Sequence, residues 1–171
     1  MKKVMLLAVM AILISSNIKA QVPLSFEKII PVDSIKKNDI YSEVKKWFAL
    51  NSDSKYTIEV DDRETGLIIS NFSTNYKSIK GFFYDVYKGY ILYKIKIQIK
   101  DNKYKISIDN FIHSSNPIRE LGLIKTGEYT GGFMNKSYDK KVWVDLQEKS
   151  KIIAENMFFQ FENMNFKQDN W

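Results

Sequence analysis

No cysteine occurs among the 171 residues, which excludes disulfides, a thiol nucleophile and the modified cysteine of a bacterial lipid anchor. Histidine is nearly absent too, since His113 is the only one. Without thiolates or a second imidazole, a zinc centre lacks its usual ligands. A serine–histidine–acid relay would have to use His113 with Ser107 and Asp109. Residues at those spacings on one strand stand side by side rather than converge, so His113 reads as a solvated residue near a loop. Glycine is sparse, and Gly127 to Gly132 is not followed by the lysine and hydroxyl residues that a phosphate-binding loop needs. Asp61, Asp62 and Glu64 before Gly66 do not match the spacing of a calcium-binding EF-hand loop and read as a polar hairpin turn. No carboxylate pair can be placed together for acid–base work. These absences exclude the common catalytic and cofactor chemistries and predict a protein that is not an enzyme, with no cofactor and no metal.

Long apolar runs are also missing. The longest, Val4 to Ile14, falls short of the ~20 residues that span a bilayer. It follows Lys2 and Lys3 and precedes Ile18-Lys19-Ala20, so residues 1–20 read as a signal peptide cleaved after Ala20. The expected product, residues 21–171, is a single domain without a stable membrane anchor, periplasmic or secreted. Removing Lys2, Lys3 and Lys19 takes the basic residues from 26 to 23 against 20 acids, so the net charge falls from +6 to +3. That excess favours solubility and makes no strong statement about a polyanionic partner.

What is present centres on Tyr90 to His113. From Ile91 to Ile99 every odd position is apolar, with Lys94, Lys96, Gln98 and Lys100 at even ones. This period of two marks a half-buried strand. Asp101-Asn102 reads as a two-residue turn. Such a turn pairs Lys100 with Lys103, Ile99 with Tyr104, Ile97 with Ile106 and Ile95 with Ile108, so turn chemistry and hydrophobic phase specify one register. Upstream, Leu24 to Val32 predicts a short strand that Pro31 confines to an edge. Asn38 offers a cap for a helix running to about Leu50, with Ile40, Val44, Trp47 and Phe48 on one stripe. Lys55 to Val60 and Leu67 to Phe72 read as a hairpin, and Gly81 to Tyr87 as the beginning of the long strand, with Gly89 a bulge or break. Ser114 to Asn135 reads as a long loop carrying a short strand near Gly122 to Tyr129. A helix from about Tyr138 to Asn165 gathers Val142, Leu146, Ile153, Met157, Phe161 and Met164 on one face, bordered by Trp143. Ile152 and Phe159 lie opposite, with cover by the long loop the expected arrangement. The order is strand, helix, four strands, long helix: an α+β domain whose antiparallel sheet carries both helices on one face.

The stretch Phe26-x-x-Ile29, Val32, Ile40-Tyr41-x-x-x-Lys45-Lys46-Trp47-Phe48-Ala49-x-Asn51, Lys55, Ile58, Asp61-Asp62 and Gly66-x-Ile68 resembles the secreted bacterial family called domain of unknown function 4468. Ile97-x-Ile99-Lys100-Asp101-x-Lys103-Tyr104-x-Ile106 resembles its hairpin. The resemblance covers about Phe26 to His113, and the last helix matches in type only. It implies a TBP-like fold and an export route, and supplies neither an activity nor catalytic residues.

Two functional readings follow. In the first, the open sheet face binds another envelope protein or a surface polymer through Tyr90, Leu92, Lys94, Lys96, Phe111 and His113. An ordinary solvated face has the same composition. In the second, an apolar cavity between the last helix and the sheet, lined by Met157, Phe161, Met164, Ile95, Ile97, Ile106 and Ile108, carries a small hydrophobic ligand. A filled core would use the same residues. Nucleic acid is not an expected partner, because Asp109 stands opposite Lys94 in an expected ion pair and the net charge is small.

Overall fold

The computed structural model describes residues 21–51, 57–77, 79, 82–115, 119–131, 136–164 and 166. The expected signal peptide, the start of the first hairpin at Lys55 and Tyr56, Gly81, Pro117 and Asn165 lie outside them. The elements are β1 (Phe26–Pro31), α1 (Lys37–Leu50), β2 (Thr57–Asp62), β3 (Leu67–Tyr76), a 3-10 helix (Phe82–Tyr87), β4 (Gly89–Lys100), β5 (Lys103–Ser115), β6 (Gly122–Leu123) and α2 (Lys136–Glu162). The sheet runs β1-β5-β4-β3-β2, every neighbour antiparallel, and β6 pairs with the far half of β5. The edge position of β1 accommodates Pro31, whose missing amide donor would break a central ladder.

Around the Asp101-Asn102 turn the register is the expected one: Lys100 opposite Lys103, Ile99 opposite Tyr104, Ile97 opposite Ile106 and Ile95 opposite Ile108. Asn102 takes a φ of 63°, which this residue type tolerates. Those isoleucines are fully buried with Ile91, Ile99 and Tyr104 beneath both helices. Burial of each contributes roughly 1.5–3 kcal/mol. Aromatic rings join the layers. Trp47 of α1 lies 4.3 Å from Phe161 of α2 between ring centroids, and Phe48 lies 5.9 Å from Phe72 of β3. Tyr104 donates its hydroxyl to the Phe161 carbonyl at 2.7 Å.

Several expectations are corrected. Asn38 does not cap α1; the N-cap is Lys36, whose side chain makes no capping bond, and the Lys37 amide donates instead to Asp101 Oδ1 at 2.8 Å. The hairpin tip therefore does what a local cap would, and Asn102 fastens the same junction through Val32 and Ile35 at 2.8 and 2.9 Å. The segment before β4 is a 3-10 helix rather than strand, because Tyr87 turns inward to donate to buried Asp139. Gly89 then opens β4 where any Cβ would strike the Ser114 carbonyl and the Ser115 Cα. β3 continues to Tyr76, beyond the expected Phe72. On α2, Ile152 is 40 % and Phe159 67 % exposed, so the described part of the long loop does not cover them as expected. Among the described residues no helix is long and apolar enough to cross a membrane.

Since a lost N-terminal cap costs about 1 kcal/mol, Asp101→Ala should lower stability by that amount in urea titration. Asn102→Gly, which adopts positive φ freely, should leave the midpoint nearly unchanged. Equal losses in both variants would separate the stabilisation from the Asp101 carboxylate.

Candidate functional site

With both helices on one side, the other side of the sheet has no second layer among the described residues. β4 presents Tyr90 and Leu92 there, 45 % and 37 % exposed, followed by half-buried Lys94 and Lys96 and by exposed Gln98 and Lys100. These occupy the expected face. Phe111 and His113 do not: both are fully buried on the helix side. The cause is a bulge. Leu92 pairs with Ile112 but Lys94 with Asp109, so Asn110 and Phe111 together stand opposite Tyr93. Asn110 absorbs the extra residue with a φ of 53°. Beyond it the phase of β5 inverts. Phe111 stacks at 5.7 Å on Tyr93, and half-buried Ile112 takes the open side.

His113 is accordingly a structural group rather than a solvated one. The Leu121 amide donates to Nδ1 at 3.2 Å, so Nε2 carries the proton and donates to the Tyr87 carbonyl at 2.9 Å. Tyr76 meets the ring edge to face at 5.3 Å. Burial pushes the imidazole below its ordinary value, against smaller opposing effects from the Tyr87 carbonyl and Glu120. Ser107 lies on the opposite face of β5, donating to Glu27 Oε1 at 2.8 Å, so no relay with His113 exists. Tyr87, whose hydroxyl donates to Asp139, is pushed up to about 12 by burial and by that carboxylate.

The charges on the open face are largely mutual. Lys94 Nζ pairs with Glu59 Oε2 at 2.6 Å, not with Asp109 as expected: Ile58 lies opposite buried Ser70, so Glu59 beside it points to this face. Asn71 donates to the other oxygen of Glu59 at 2.6 Å, and the Lys94 bond leads in holding that carboxyl below its ordinary range. Lys105 pairs with Glu27 at 2.9 Å. Ile29, 64 % exposed, was not expected on this face. The doublet Ile29-Ile30 contained the signal, since adjacent strand residues point to opposite faces.

Elsewhere, Asp61 accepts from Tyr41 and Lys45 in a groove between α1 and β2 that Arg63 also lines. The Asp62 carboxylate accepts from the Thr65 amide at 3.1 Å, as a polar turn requires. No group of three or more metal-ligating side chains occurs among the described residues.

The model of a domain of unknown function (DUF4468) with TBP-like fold matches residues 26–114, just over half of the chain. No curated protein matches it. Among solved structures, a DUF4468 family protein from Bacteroides ovatus ATCC 8483 superposes with a TM-score of 0.60 at 14 % identity, covering 85 % of this chain and 90 % of that one. A TBP-like protein from Parabacteroides distasonis ATCC 8503 gives 0.54 at 13 %, covering 84 % and 95 %. At such identities the likeness concerns the fold alone.

Because His113 is held neutral when folded, the unfolded chain binds a proton below about pH 6.5 that the native state resists. Stability should be level near pH 7 to 8 and fall as pH drops through about 6.5. A second decline should follow at lower pH as Asp61, Glu59 and Glu27, all held below their ordinary values, are protonated. His113→Gln should remove the first decline and keep the second, measured by urea midpoints. An unchanged first decline would assign it to other groups.

Proposed function

The chain belongs to the DUF4468 family with TBP-like fold, and from that premise we propose that it is an exported binding module whose helix-free sheet face holds another protein of the cell envelope. The observation that carries this reading is the pair Tyr90 and Leu92, exposed side by side on the central strand of a face that neither helix covers. Large apolar side chains with a charged surround are what a protein partner buries at the centre of a contact. Partner exchange at such a face needs no catalytic group, consistent with buried His113 and with carboxylates already engaged by Lys45, Lys94 and Lys105.

Export is part of the proposal and rests on the basic start, apolar run and small-residue boundary of residues 1–20. N-terminal sequencing of protein recovered from its host should begin at Gln21.

The carrier alternative is less well supported by the packing. The space it needs is occupied by Phe161, Ile95, Ile97, Ile106 and Ile108, all fully buried, and Phe161 lies within 6.5 Å of the Trp47, Phe48 and Tyr104 rings.

Replacing both Tyr90 and Leu92 by serine should reduce recovery of co-purifying envelope proteins roughly tenfold or more, with the unfolding midpoint within about 0.5 kcal/mol of wild type. Phe111 is unsuitable for this test, because its removal would open the core. Undiminished recovery would exclude this face, and a lipid retained in native mass spectrometry would favour the carrier.

A further inference from the structure

The far end of the open face carries a charge arrangement that the fold itself disfavours. Lys100 and Lys103 stand directly opposite each other beside the hairpin turn, and like charges so placed destabilise a strand pair. Neither has an ion-pair partner among the described residues. Together with Lys105, Gln98 and exposed Ile29 they line a cleft of about 240 Å³ across the neighbouring strands β1, β5 and β4. The same face already shows how it receives a carboxylate. Glu27 takes Lys105 Nζ at 2.9 Å and Ser107 Oγ at 2.8 Å, and these bonds, with a weaker contribution from the Lys96 charge, hold its carboxyl below the ordinary range. Lys100 and Lys103 repeat the cationic half of that arrangement without the anion.

We propose that this cleft takes an acidic, aliphatic segment of the partner protein, with carboxylates set between Lys100 and Lys103 and an apolar side chain laid against Ile29. The inference rests on the open-face reading and names the chemistry of the partner. Each ammonium supplies a charge-assisted hydrogen bond, and relief of the lysine pair's repulsion favours the bound state. Lys100 lies eight residue steps along β4 from Leu92, so an extended partner segment of roughly 26 Å reaches from one end of the face to the other.

The test uses a fluorescein-labelled peptide of four Leu-Glu repeats, titrated by anisotropy with the protein comprising residues 21–171. Binding should weaken as salt rises and fall roughly tenfold or more in Lys100→Ser/Lys103→Ser, while a Leu-Lys peptide of equal length shows none. The double variant should unfold at the same midpoint as wild type or higher, since the opposed charges are gone. Equal affinity in wild type and variant overturns the inference. So does binding to phosphatidylglycerol vesicles without binding to the peptide, which would make the cleft a membrane contact. If Lys100→Ser/Lys103→Ser keeps full recovery of envelope partners while Tyr90→Ser/Leu92→Ser loses it, the acidic-segment inference fails and the open-face reading stands. Full recovery with both variants removes the two together.

Discussion

Asp101 Oδ1 holds the first amide of α1 at 2.8 Å, and most of the architecture depends on that contact and its neighbours. A two-residue turn ordinarily joins two strands and nothing more. Here the Asn102 amide also donates to the Ile35 carbonyl, while its own carbonyl receives the Val32 amide. One hairpin tip thereby sets where β1 ends and where α1 begins. Helix amides that lack intrahelical acceptors need partners, and supplying one from the central hairpin ties the helix to the sheet rather than to its own flanking residues. Once α1 is so fixed, Ile40, Val44 and Phe48 are buried, Phe48 beside Phe72 of β3, and Trp47 reaches the Phe161 ring of α2.

The second constraint is the bulge at Asn110. Before it, Tyr104, Ile106 and Ile108 face the helices; after it, Phe111 and His113 do. A strand with an uninterrupted period of two would have placed Phe111 and His113 on the open face and sent Ile112 inward. The inserted residue brings His113 against Tyr76 and Tyr87 and lets its two nitrogens join β5 to the 3-10 helix and to the segment leading into β6. A buried imidazole with both nitrogens bonded is a structural tie. It is a poor general base, because the lone pair that catalysis would use is engaged by the Leu121 amide.

What these two constraints leave free is a sheet face divided along its length. One end is apolar and aromatic at Tyr90 and Leu92, the middle is neutralised by the Lys94–Glu59 and Lys105–Glu27 pairs, and the turn end is cationic at Lys100 and Lys103. Exposed ion pairs contribute little to stability. Their effect is to reduce the attraction of the middle of the face for polyanions, so the sheet differs from a uniformly basic surface that would bind nucleic acid by charge alone. The acids responsible come from β1 and β2, the two outer strands, and reach the central strands through side-chain length.

The chain by itself determined the α+β class, the edge position of β1, the Ile95-Ile108 and Ile97-Ile106 pairings and the two helices, because each rests on a local period or a turn whose residues admit few conformations. The match to residues 26–114 and the superposed structures agree with that reading. Only the tertiary structure decided that Asp101 caps α1, that Glu59 rather than Asp109 meets Lys94, and that Phe111 and His113 are buried. Each of these depends on which distant segments come together. Asparagine occurs equally well in a regular strand end and in a bulge with positive φ, so nothing local at Asn110 distinguishes the two. It is the close packing of Phe111 on Tyr93 and the bonding of His113 that make the inverted phase the more stable one.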